Sequence, residues 1–127
     1  MSLTHKVDLH RRLCILKDLN EIELWIYILE SINDELDHFN SIEKQLIKNE
    51  SVANNIKALR RKMILAMATF CKYEQELKVE YEYGDVEYDA KRYKHHEQKR
   101  ESYLQLMKDY NAFKIHIYTL LKVYHRK

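Results

Sequence analysis

One glycine, Gly84, and no proline occur in 127 residues. Glycine takes positive φ without steric penalty, and proline ends a helix by removing a donor and clashing with the preceding turn. A chain so poor in both has little from which to build hairpins. Sheet architectures with many tight turns are therefore excluded, and long uninterrupted helices are expected. At this length one domain, residues 1–127, is expected, burying roughly two-thirds of the surface that the unfolded chain exposes. The 46% share of hydrophobic residues argues against disorder.

Two interruptions divide the pattern. The polar stretch Lys48, Asn49, Glu50 and Ser51 breaks the first run, with Ser51 as an N-cap for the second helix. At Tyr83, Gly84 and Asp85 the second run breaks, Gly84 suiting the position just past a helix end and Asp85 the start of the next. These signals predict an all-α, antiparallel bundle of three long helices with coiled-coil-like packing, near residues 4–47, 52–82 and 86–125. Heptad seams support the division. They run through Ile22, Trp25, Leu29, Ile32, Leu36, Phe39, Glu43 and Leu46 in the first helix, and through Ile56, Leu59, Met63, Ala66, Phe70, Tyr73 and Leu77 in the second. In the third, the frame holds Tyr93, His96 and Arg100 before Tyr103, Met107, Tyr110, Ile117, Leu121 and Tyr124.

Upstream of Ile22 the apolar residues Leu9, Leu13, Leu16 and Leu19 sit one residue out of the frame that starts there. Asp18 and Asn20 are both N-cap residue types, so a break at residues 18–20 and a four-helix bundle is the alternative. At ~1.5 Å per residue the first and third helices reach ~60 Å and the second ~47 Å. In a hairpin about residues 49–51 the second helix would reach back only to about residue 18. Apolar overhangs at both ends then require either a folded-back helix or a partner.

Charge is arranged in blocks although the net is only +2. Residues 18–50 carry 9 acidic against 2 basic side chains, and residues 51–73 carry 5 basic and none acidic. Residues 74–89 carry 7 acidic against 1 basic, and residues 90–100 carry 5 basic against 1 acidic. Antiparallel pairing sets Glu30, Asp34, Glu35 and Asp37 beside Lys57, Arg60, Arg61 and Lys62. It also sets Glu74, Glu76, Glu80 and Glu82 beside Lys91, Arg92, Lys94 and Lys99. Each exposed pair contributes ~0–1 kcal/mol, so the blocks chiefly disfavour wrong registers. The densest basic run, Lys91, Arg92, Lys94, Lys99 and Arg100 around Tyr93 and a histidine pair, also has the composition of a surface that follows a phosphate backbone.

Catalytic and metal motifs are thin. Glu35 and His38 form one Glu-x-x-His, whereas a di-iron bundle needs two plus a carboxylate from each of two other helices. His10 and Cys14 are two ligand types between arginines, not a zinc site. Asp85, Glu87 and Asp89 imitate the start of a calcium loop, but Ala90 stands where that loop needs glycine. Cys71 lies in the apolar run 63–71 and reads as a small buried residue. No catalytic residue, metal ligand set or cofactor is assigned.

The leading expectation is a non-enzymatic bundle protein that forms a homodimer or binds a helical partner. Its interface would comprise Leu9, Leu13, Leu16, Trp25, Tyr103, Tyr110, Ile117, Leu121 and Tyr124. Nine of the ten tyrosines lie from Tyr73 onward, and tyrosine suits surfaces that are apolar at one end and wet at the other. The alternative is a nucleic-acid or phosphate-binding module using the basic run. No membrane partner is expected, since the longest apolar run, residues 63–71, falls short of the ~18 residues of a span. Arg11, Arg12 and Asp18 break a signal-peptide pattern, and two cysteines without a disulfide framework fit a reducing cytoplasm.

Overall fold

The computed structural model describes residues 3–125, with side chains from residue 4 to 123, and is an all-α bundle of three long helices. Helix α1 spans Leu3–Ile42 and ends in one widened π turn, Glu43–Ile47; α2 spans Glu50–Tyr83 and α3 spans Ala90–His125. No described helix is long and apolar enough to cross a membrane.

The α1 helix runs unbroken through residues 18–20, so the four-helix alternative is not realised. Its buried side is one continuous frame: Arg11, Ile15, Asp18, Ile22, Trp25, Leu29, Ile32, Leu36 and Phe39 recur at alternating steps of four and three. The seam expected from Ile22 onward thus extends upstream without a phase change. It takes two charged residues inside and leaves Leu9, Leu13 and Leu16 outside, 47%, 59% and 42% exposed. At the other end, the π turn inserts one residue into the helical repeat. Ile47 is therefore buried in place of the expected Leu46, which is exposed.

The α2 seam follows expectation through Ile56, Leu59, Met63, Phe70, Tyr73 and Leu77, with Val52 added at its start and Ala66 only half-buried. In α3 the buried residues are His96, Tyr103, Leu106, Tyr110, Phe113 and Ile117. One side of the expected α3 frame is correct, and the other lies one residue earlier, at Leu106 rather than Met107, and continues to Phe113. Helix α2 returns antiparallel to α1, and α3 runs parallel to α1: Trp25 stacks on Tyr103 and Phe39 meets Phe113 edge-on. The α1 and α2 backbones approach each other most closely, whereas α3 reaches α1 mainly through long aromatic, histidine and arginine side chains.

The turns depart from the sequence reading. Lys48 adopts the left-handed conformation, φ 48° and ψ 50°, that closes the π turn. Asn49, not Ser51, caps α2, its side chain accepting from the backbone N–H groups of Ser51 and Val52. Gly84 has an ordinary extended backbone, φ −74° and ψ 153°, so left-handed freedom is not what the position requires. Proximity is: a Cβ there would stand 2.6 Å from the Glu80 carbonyl oxygen. Residues 84–89 form an extended connection, and α3 begins at Ala90, later than the expected residue 86, because Asp89 rather than Asp85 caps it through the N–H of Arg92 at 3.0 Å.

The hairpin also reaches further than length arithmetic suggests. The Arg11 Nη1 donates to the Glu80 carbonyl at 2.5 Å, and Arg12 lies 5.4 Å over the Tyr81 ring. Thus α2 covers α1 back to residue 11, and Ile15 and Ile117, near the two ends where overhangs were expected, are fully buried within the chain. Of the charge blocks, Asp37 and Arg60 pair across α1 and α2 at 2.5 Å, and Glu80 and Arg92 pair across α2 and α3 at 2.7 Å. Lys62 turns instead to Asp109 of α3.

Candidate functional site: a buried carboxylate and histidine cluster

Asp18 and Glu21 stand one helical turn apart on α1 and meet His96 of α3 across the bundle. Asp18 is 5% exposed and His96 2%. The His96 ring is held on three sides. Trp25 stacks on its face at 5.4 Å and 21°, its Nε2–H donates to Glu21 Oε1 at 2.6 Å, and its Nδ1 accepts from the Tyr73 hydroxyl at 2.7 Å. The two carboxylates on the Nε2 side decide this tautomer, because only an N–H can face them favourably. Asp18 Oδ1 lies 3.5 Å from the same nitrogen, and the Tyr88 hydroxyl donates to Asp18 Oδ2. Arg100 grips Glu21 with two parallel bonds, Nε to Oε2 at 3.0 Å and Nη2 to Oε1 at 2.6 Å, and reaches Glu97 with Nη1.

Environment separates the two carboxyls. Hydrogen bonding to Arg100 holds Glu21 below the usual carboxylate range, against a smaller effect of burial. Burial raises Asp18 instead, and the Tyr88 bond and His96 only partly oppose it. Burial also pushes the Tyr73 and Tyr88 hydroxyls far above the ordinary tyrosine value, with the carboxylate of Asp18 adding to both. Both tyrosines are therefore neutral donors at physiological pH, and the cluster offers two carboxylates and one imidazole rather than a phenolate base.

Beside the cluster opens a cleft of about 1290 Å³ between the end of α2, the connection 84–89 and the start of α3. Asp18, Tyr73 and Tyr88 form part of its wall, joined by Val79, Val86 and the charged residues Lys72, Glu76 and Lys91. On the far side of Asp18 lies the other charged seam residue. Arg11, 1% exposed, joins Asp8 at 2.9 Å to the C-terminal turn of α2 through the Glu80 carbonyl. That carbonyl also accepts from the Gly84 N–H at 3.0 Å, so Arg11 serves as a cation at a helix C-terminus.

The residues expected at an interface fall into two groups. Trp25, Tyr103, Tyr110 and Ile117 are buried by the chain's own helices and present no surface in this fold. Tyr110 donates to Glu35, while Tyr103 stacks on Trp25 at 5.1 Å. Leu9, Leu13 and Leu16 are exposed together on one side of α1, Leu121 is half-buried, and the Tyr124 side chain lies outside the described residues. The basic run does not form one face. Arg92 pairs with Glu80, Lys99 sits 5.8 Å over the Tyr73 ring and Arg100 is bound to Glu21, leaving Lys91 and Lys94 outward. Cys71, expected buried, is exposed; Cys14 is half-buried with its Sγ 3.6 Å from His10, and both thiols are free. His38 is exposed beside Glu35, whose carboxylate is taken by Tyr110.

Sequence reasoning missed the cluster, although its signal was present. Extending the alternating steps upstream from Ile22 lands on Asp18 and Arg11, and charged residues on a seam mark a buried polar site. Compared with protein-family models, curated proteins and solved structures, the chain matches none.

Proposed function

We propose that this chain is a non-enzymatic, cytoplasmic association module that pairs with a second copy of itself through the outward side of α1. The observation that carries the reading is the symmetry of the exposed side chains. Leu13, Leu16, Leu24 and Tyr27 are each 42–66% exposed and lie at matched distances on either side of Asn20. An antiparallel copy with its two-fold axis at Asn20 sets Leu13 against Tyr27 and Leu16 against Leu24. The same axis brings exposed Lys17 to Glu23, His10 to Glu30 and Lys6 to Asp34, so charge and apolar matching choose one register. A polar Asn at the axis fixes that register at some cost in affinity. Free Cys14 and Cys71 support a reducing setting.

Light scattering across a concentration series tests this. A dimer mass is expected, falling to monomer in Leu16→Asp/Leu24→Asp with helicity and thermal midpoint unchanged. Lys17→Glu should weaken the dimer, and adding Glu23→Lys should restore it. A wild-type monomer at millimolar concentration would refute the reading.

A further inference from the structure

The geometry points to a second property, independent of pairing: Asp18, Glu21 and His96 form a binding site for a divalent metal ion of the Zn²⁺ or Mn²⁺ type.

Three observations lead there. First, one ligand atom each from Asp18, Glu21 and His96 lies within 4.8 Å of the other two, supplied by an i, i+3 pair on α1 and a single imidazole on α3. Donor atoms around an ion with bonds of ~2.0–2.2 Å sit about 3–3.5 Å apart. The imidazole nitrogen and Asp18 oxygen already stand at 3.5 Å, and Glu21 Oε1, at 2.6 Å from the same nitrogen, needs to withdraw by only about 0.5 Å.

Second, the charge is incomplete. Asp18, Glu21 and Glu97 face one guanidinium, Arg100, which is spent on Glu21 and Glu97. Asp18 is buried with no Lys or Arg among its hydrogen-bonding partners, its Oδ2 satisfied by a neutral hydroxyl and its Oδ1 at 3.5 Å from the ring. A divalent cation at Oδ1 supplies the full countercharge that no Lys or Arg gives this buried carboxylate.

Third, the surroundings orient the ligands as outer partners of a metal site do. Tyr73 faces His96 Nδ1, Tyr88 holds the Asp18 oxygen turned away from the centre, and Trp25 fixes the ring plane. On binding, the ring changes tautomer. The Nε2 proton passes to water in the cleft, Nδ1 takes one up from that water and hydrogen-bonds through it to the Tyr73 oxygen, and the Tyr73 O–H turns toward the cleft. The cleft, whose wall includes Asp18, admits the ion and the waters that complete its coordination. One imidazole with two carboxylates suits Zn²⁺ and Mn²⁺ and disfavours Cu⁺, which selects sulfur.

The test is calorimetric titration of the full, chelator-treated chain with Zn²⁺ and, separately, with Mn²⁺, alongside ¹⁵N spectra of the histidine rings. One ion per chain is expected, with His96 Nε2 moving to a metal-bound shift. Asp18→Asn, which removes the carboxylate charge but keeps an oxygen to accept from Tyr88 and so keeps the fold, should abolish this uptake, and Tyr73→Phe should weaken it about 10–100-fold. A double change of His10 and Cys14 to alanine should leave it intact. No stoichiometric uptake of either ion at millimolar concentration, an unchanged isotherm in Asp18→Asn, or a shift confined to a histidine other than His96 would each overturn the assignment.

Discussion

The two halves of α1 place opposite kinds of residue on the same seam. From Ile22 to Phe39 every seam position is apolar, whereas between residues 9 and 18 the seam carries Arg11 and Asp18 and three leucines stand outside. Burying Leu9, Leu13 and Leu16 would require rotating the helix by about 100°, which means breaking it or over- or underwinding it locally. The chain keeps its phase. A regular helix retains all its backbone hydrogen bonds, and the two buried charges find partners: the Glu80 carbonyl and Asp8 for Arg11, and Tyr88 and His96 for Asp18. Helical continuity thus outranks the local preference for leucine inside wherever polar partners are within reach.

The largest contrast between the two kinds of position is expected at neighbouring residues. Ile15 is fully buried and Leu16 is 42% exposed. Ile15→Ala is expected to lower the free energy of unfolding by about 2–5 kcal/mol in a urea titration. If it costs no more than Leu16→Ala, the seam is wrongly phased. Arg100→Gln comes next. Removing both charged bonds to Glu21 should cost about 1.5–3 kcal/mol at neutral pH, with the difference from wild type shrinking in acid. The sign comes from linkage: the folded-state value of Glu21 is depressed, so its contribution is present above the unfolded value and lost as pH falls through the folded one.

Gly84→Ala should cost about 1–3 kcal/mol by forcing a Cβ against the Glu80 carbonyl, with Arg11 losing its acceptor geometry in the same step. Thermal denaturation is sufficient to see it. Asp18→Asn runs the other way. Burial raises the folded-state value of Asp18, so its contribution is present below the unfolded value and lost as pH rises through the folded one. The metal-free asparagine variant is therefore expected to be more stable than wild type at pH 7, the gap closing as pH falls to about 4. Measured unfolding curves at pH 4 and pH 7 check this. The smallest effect belongs to Leu16→Ala, within about 0.5 kcal/mol for the isolated chain. A larger loss that depends on protein concentration would report the α1 pairing instead.

Most of the fold was legible because one period repeats. The steps from Ile22 to Phe39 and from Ile56 to Leu77 predicted the buried residues of α1 and α2, and the scarcity of breakers predicted three helices. The turns were less legible. Asn49 and Asp89 displaced Ser51 and Asp85 as caps, and Gly84 is needed for space rather than for φ, because such choices depend on how closely one helix end approaches the next. In α3 a one-residue ambiguity between Leu106 and Met107 could not be resolved from a pattern rich in tyrosine on several sides. The site was hidden for a related reason. His96 lies in the expected frame of α3, whereas the expected frame of α1 starts only at Ile22, so the pattern alone does not pair His96 with Asp18.

Backbone propensity and a 3.6-residue period are properties of the chain alone, and they are enough to make it helical, to place its two turns and to set the inward stripe of the middle helix. Packing between helices settled the rest: which way the first three turns of α1 face, that Trp25 and the α3 tyrosines Tyr103 and Tyr110 are consumed by the core, and that Asp18, Glu21 and His96 converge. Those outcomes depend on distances between residues 69 or more positions apart, and on a rigid helix carrying the phase of its best-packed segment into its least apolar one.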